Sequence, residues 1–135
     1  MSVAVVDASI WVSRFVTQDC NHRASYEWLD RHLGNGGIVA PMILLSEVAG
    51  PIARQTGDPG VAHAAVSAMV RMPGLRLVPV DRQLGRSAAG LAADLQLRGA
   101  AAIYVALALG LSLPLVTWDR QQHARGAAAV RVIIP

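Results

Sequence analysis

Short apolar runs alternate with longer amphipathic stretches along this chain. Five segments read as strands: SVAVVD (2–7), GIVAP (37–41), LRLVPV (75–80), LPLVTWD (113–119) and VRVIIP (130–135). The unbroken apolar character of 2–7 and 113–119 predicts parallel strands covered on both faces. Helical patterns fill the gaps. Over 20–34, Ala24, Tyr26, Trp28, Leu29 and Leu33 recur among polar positions, and Gly34 stops the run. Helices are also predicted over 42–57, 59–73 and 81–99. The last ends at Gly99 and passes at once into an alanine-led helix over 100–111, and 119–126 is a short polar helix. Strands alternating with helices imply right-handed crossovers and an α/β sandwich around a parallel sheet of four to five strands. Gly57 to Pro59 reads as a turn, so residues 1–135 are expected to form one domain.

Composition narrows the class. The chain is 53% hydrophobic and 16% charged, enough for a packed core and too apolar for disorder. No charge-free apolar run reaches the roughly 18 residues of a membrane span, so no membrane association is expected. MSVAVVDASIWV lacks the basic start of a signal peptide, and Asp7 interrupts it. The single cysteine, Cys20, permits neither an intramolecular disulfide nor a zinc finger, which fits a reducing, cytoplasmic setting. All 12 basic residues are arginine, and the net charge is +3. Guanidinium forks bind phosphate bidentately, so an acidic partner such as nucleic acid suits this chain. Phosphate-loop and GxGxxG patterns are absent.

Nine acidic residues remain to be placed. Asp7 follows VAVV and Asp119 follows PLVTW, which puts both at carboxyl ends of buried strands, the edge where open α/β sheets bind ligands. Capping of the following helix is the alternative role for each. Glu47 lies in MILLSEVAGPIA among apolar neighbours, where an unpaired charge is costly. Gly50 and Pro51 keep its helix face low, and Arg54 offers an alternative surface partner. Were Asp7, Glu47 and Asp119 to converge, they would repel by roughly 4 kcal/mol per pair about 4 Å apart at an effective dielectric near 20. Such a cluster needs protonation or a cation, and an all-oxygen site prefers Mg²⁺ or Mn²⁺. With the arginine surplus, this points to phosphodiester hydrolysis. The other acids read as structural: Asp19, Asp30 and Asp58 near turns or helix ends, Asp81 as a helix cap, Glu27 and Asp94 solvated. The histidines His22, His32, His63 and His123 show no metal-ligand spacing.

Four segments, VVDASIWV, LLSEV, LRGAAAIYVALA and LVTWDRQ, in this order and spacing, resemble the PIN domain, specifically the VapC toxins of toxin–antitoxin pairs. The resemblance implies a three-layer α/β/α sandwich and a Mg²⁺- or Mn²⁺-dependent endoribonuclease. It implies a VapB-type antitoxin partner, an RNA substrate and a homodimer. Carried over, Asp7, Glu47 and Asp119 match the family's metal-binding acids, and Ser9 and Thr117 match small hydroxyl residues that help order the site. Arg14, Arg120 and Arg125, close to these motifs, are candidate RNA contacts. Trp11, Phe15 and Trp28 are candidates for a partner groove, with the core as the alternative.

One position departs from the family. The usual segment resembles LRGADAIYVALA, so Ala101 stands where a catalytic aspartate is expected. A carboxylate there would cap the helix, favour its positive end and ligate metal. Either the alanine is a substitution that disarms a toxin, or the site is naturally degenerate. Reduced or absent cleavage is expected in both cases. The alternative function is a catalytically inactive module that binds RNA or protein. A phosphotransfer receiver domain also gathers strand-end aspartates, but it needs a lysine, and the chain has none.

Overall fold

The computed structural model describes residues 3–135, so the first position of the expected 2–7 strand lies outside the described residues. Five strands, β1 (Ala4–Val6), β2 (Ile38–Pro41), β3 (Leu75–Val78), β4 (Leu115–Val116) and β5 (Val132–Ile133), form one sheet in the order β3-β2-β1-β4-β5. Every pairing is parallel. Each strand is shorter than its apolar run, because only part of each run is paired. The helices are α1 (Ala8–Phe15), α2 (His22–Asn35), α3 (Leu44–Thr56), α4 (Pro59–Val70), α5 (Arg82–Leu95), α6 (Gly99–Leu111) and α7 (Arg120–Gly126). They flank the sheet to give the α/β/α arrangement. α6 packs on β1, β2 and β4 and carries α5 on its other side, while α1 holds α2 and α3.

Burial explains why the central strands are apolar throughout. Ala4, Val5, Val6, Ile38, Ala40, Leu115 and Val116 are all buried. Such strands cannot alternate apolar and polar residues, since both faces are covered. β1 is the switch point of the sheet: β2 and β3 lie on one side of it, β4 and β5 on the other. The carboxyl ends of β1 and β4 are the edge at which a sheet of this order commonly binds ligands.

Three local expectations are corrected. α1 was not foreseen, because ASIWVSRF continues the apolar run of β1 and hides the change of period; Asp7 starts it by accepting from Ser9 N (3.1 Å). Gly99 does not end α5. That helix stops at Gln96, which takes a left-handed conformation (φ 54°), and Gly99 is instead the first residue of α6. The two helices meet at 112°. Trp11 and Trp28 are buried and Phe15 packs against the core, so they form no open partner groove. Among the described residues no single helix is long and apolar enough to cross a membrane.

Candidate active site

The loops leaving β1 and β4 meet through a threonine. Thr117 is wholly buried, and its hydroxyl lies 2.9 Å from Asp7 Oδ2 and 3.0 Å from Gln122 Oε1. Those are two acceptors for one proton. The same oxygen accepts from Asp119 N (3.0 Å), and Ser9 Oγ lies 3.4 Å away. Ser9 Oγ in turn accepts from Trp118 N (3.0 Å). Ser9 and Thr117 therefore stitch the two strand ends together and aim hydroxyl and amide donors at Asp7. Behind them Trp118 Nε1 donates to Ser25 Oγ (2.8 Å), which pairs with Ser13 Oγ at 2.6 Å, so α2 is fastened to the same loop.

Asp7 is buried. Loss of solvent pushes its carboxyl above the ordinary aspartate value, against the hydrogen bonds from Ser9 and Thr117 that favour the charged form. Glu47 projects from the first turn of α3, a helix that runs through Pro51 without interruption. It is half-buried, but its Oε1 is sealed from solvent and accepts no hydrogen bond. Burial raises its carboxyl too, with the nearby Asp7 charge adding to the rise and the Tyr104 hydroxyl opposing it. Tyr104, from α6, is wholly buried beside both acids, and burial followed by their charges pushes its phenol far upward. Its hydroxyl reaches hydrogen-bond geometry with no protein atom. Glu47 makes no ion pair with Arg54, whose guanidinium instead lies against Gly50, 3.2 Å from where a Cβ would stand.

Two of the three acids, Asp7 and Glu47, lie near enough to influence each other, and the third caps a helix at the same sheet edge. Asp119 shares Thr117 with Asp7, yet its carboxylate accepts from Gln122 N (2.9 Å) and caps α7. Both strand-end aspartates are helix caps; Asp7 differs in being buried beside a second carboxylate. No three acidic, histidine or cysteine side chains among the described residues are gathered as a ligand set. Mutual repulsion gives a physical reason: without positive charge, an exposed carboxylate is held better by a helix N-terminus than by two others.

Ala101 lies in the first turn of α6, whose N-cap, Arg98, makes no side-chain cap bond. The helix persists because its next turns bury Ala102 and Tyr104 to Ala108. Of the arginines, Arg120 is exposed next to Asp119. Arg14 lies over the Tyr26 ring (4.1 Å) and Arg125 donates to the Gln96 carbonyl, so both have partners within the chain.

Two site residues escaped sequence reasoning. In the sequence Tyr104 is one position of the alanine-led helix over 100–111 with nothing to single it out, although a buried phenol ordinarily needs a partner. Gln122 was read as part of a polar helix, yet it is 2% exposed and donates through Nε2 to the Ala101 carbonyl (3.2 Å). Nothing in DRQQHARG separates a buried glutamine from its exposed neighbour.

The family model of the PIN domain matches residues 4–128. No curated protein matches the sequence. Among solved structures, VapC20 of Mycobacterium tuberculosis, described as a Sarcin-Ricin loop cleaving toxin, superposes with a TM-score of 0.80 at 19% identity, covering 96% of this chain and 99% of that one. VapBC2 from Rickettsia felis, bound to a DNA fragment from its promoter, gives 0.75 at 12% identity, with 98% of each chain covered. VapBC-5 of Mycobacterium tuberculosis, from the VapBC family of toxin–antitoxin systems, gives 0.64 at 23% identity, covering 99% and 98%.

Proposed function

The chain belongs to the PIN domain family, and from that premise we propose that it is a toxin-class endoribonuclease, dependent on Mg²⁺ or Mn²⁺ and impaired in this form by Ala101. The observation that carries the reading is the pairing of buried Asp7 with half-buried Glu47 at the carboxyl edge of the sheet, with one Glu47 oxygen given no partner. A carboxylate held away from water is costly, and the chain holds a buried Asp7 close enough to a half-buried Glu47 for each charge to disfavour the other. The donors are all oxygen, as a hard divalent ion requires. Asp7 and Glu47 would hold the ion, with Asp119 turning from its cap to join them and an aspartate at 101 completing the set. When bound, the ion supplies positive charge and an acidified water for phosphodiester hydrolysis.

The chain's own residues do the rest. Ser9 and Thr117 fix the Asp7 carboxylate. Tyr104 stays protonated across the working pH range and keeps a donor beside Glu47. Arg120, exposed next to Asp119, is suited to meet an RNA phosphate; Arg14 and Arg125 would need to leave their present partners to do so. A VapB-type antitoxin partner belongs to the same proposal, supported by the VapBC-type structures that share the fold; a second copy of the chain and a cytoplasmic setting belong to it as what the family resemblance implies.

Ala101 favours a second reading, a module that binds RNA or protein without cleaving. One assay separates them. RNA is incubated with the chain and with its Ala101→Asp variant, with Mg²⁺ or Mn²⁺ and with EDTA. The nuclease reading expects metal-dependent cleavage that is stronger for Ala101→Asp and abolished when Asp7→Asn is added. Equal activity of the two forms contradicts it, and RNA binding without cleavage in both favours the module.

A further inference from the structure

Gln122 has no role in any account given so far, and it is nearly as buried as the core. Its amide orientation is determined by its neighbours. The Ala101 carbonyl can only accept, so Nε2 faces it (3.2 Å) and Oε1 is left toward Thr117 (3.0 Å). Its backbone N–H is taken by the Asp119 carboxylate. Thr117 Oγ1 accepts from Asp119 N and has one proton to give, so Asp7 Oδ2 and Gln122 Oε1 share that donor. A continuous line of contacts therefore runs from the first turn of α6, through the Gln122 amide and the Thr117 hydroxyl, to the Asp7 carboxylate. It joins α6 and α7 to the residues that follow β4 and β1, and Thr117 and Asp7 alone lie 110 positions apart. An apolar side chain of the same length would fill the space with no bonding requirement, so the use of a buried amide here lies in its bond to the Ala101 carbonyl and in its share of the Thr117 proton.

We infer that Gln122 is a positioning residue: it ties the backbone of position 101 to Thr117 and so sets where the start of α6 stands relative to Asp7. The consequence for metal affinity rests on the cation-site reading above; the bridge itself does not. Residues that orient a ligand from behind commonly change metal affinity by about 10- to 100-fold when removed.

The test has a metal arm and a metal-free arm. In the full chain carrying Ala101→Asp, Mn²⁺ affinity is measured by electron paramagnetic resonance of the free ion for four proteins: that parent, Gln122→Met, Thr117→Val and the double variant. Gln122→Met is expected to weaken binding by roughly tenfold with Thr117 present and by about twofold or less with Thr117→Val, because the bridge is then already broken. Equal losses in both backgrounds, or none in either, overturn the inference. In the chain as it stands, without metal, the Gln122 side-chain NH₂ signals are followed by nitrogen-15 NMR. Thr117→Val is expected to shift them and hasten their exchange with solvent. Signals that Thr117→Val leaves unmoved overturn the bridge, and this arm decides if Gln122→Met does not fold. Absence of Mn²⁺ binding in the Ala101→Asp parent refutes the cation site, and the amide signals then decide the bridge by themselves.

Discussion

Replacing Asp7 by asparagine should make the metal-free protein more stable at neutral pH, although Asp7 caps a helix and has a buried hydrogen-bond partner. The asparagine keeps an oxygen for Ser9 N, now 3.1 Å from the carboxylate, and for Thr117 Oγ1 at 2.9 Å. Asparagine ranks with aspartate as an N-cap, so α1 loses little. What disappears is a buried charge, pushed upward in pKa by desolvation and set beside Glu47. Each pH unit by which the folded value exceeds the unfolded one opposes folding by about 1.4 kcal/mol at neutral pH. Asp7→Asn is therefore expected to be the more stable protein, each kcal/mol gained raising Tm by about 3–5 °C for a chain of this size. The sign with pH follows from the same shift. A raised folded pKa contributes stability that is fully present below the unfolded value, 3.8, and is lost as pH rises through the folded value. The parent should lose stability between pH 4 and pH 7.5, and Asp7→Asn should lose less. The assay is thermal unfolding by circular dichroism in EDTA at pH 4, 5.5 and 7.5. A variant less stable than the parent at pH 7.5, or with the same pH slope, refutes the claim that the Asp7 charge is held at a cost.

Other substitutions probe the framework around the acids. Glu47→Gln should also stabilise the metal-free protein at pH 7.5, by less than Asp7→Asn because Glu47 is only half-buried, as urea unfolding would measure. Asp119→Ala removes the cap on Gln122 N and should cost about 1 kcal/mol in EDTA at pH 7.5; no loss would mean that α7 does not depend on this carboxylate. Trp118→Phe deletes the indole donor to Ser25 and should cost about 1 kcal/mol, with slower hydrogen exchange in the parent than in the variant for the α2 amides.

Much of this arrangement can be read from the residues, for reasons that differ along the chain. The central strands are legible because both of their faces are buried, which leaves the apolar runs around Val5 and Leu115 without polar interruption. Asp7 and Asp119 are legible as the first charges after those runs, and Glu47 as a charge among apolar neighbours. α1 is hidden because its apolar face continues that of β1 with no break in composition. The end of α5 is hidden because Gln96 takes the left-handed position that Gly99 advertises. The sequence leaves Asp119 a choice between helix capping and a shared site, and the structure has it capping α7. Gln122 and Tyr104 acquire their roles only from tertiary partners, Thr117 and Ala101 for one, Asp7 and Glu47 for the other.

The central proposal is spatial and electrostatic: Asp7 and Glu47 form one cation site at the carboxyl edge of the sheet, which Asp119 leaves its cap to join when the ion binds. Paramagnetic broadening measures it directly. Mn²⁺ is titrated at sub-stoichiometric amounts into nitrogen-15-labelled Ala101→Asp protein, and loss of amide signals is mapped. The account predicts that signals of residues 7–9, 47, 101 and 117–119 vanish first and together, and that Asp7→Asn prevents it. Broadening centred instead on exposed acids such as Asp30, Asp58 or Asp94, with the signals around Asp7 and Glu47 intact, would contradict it.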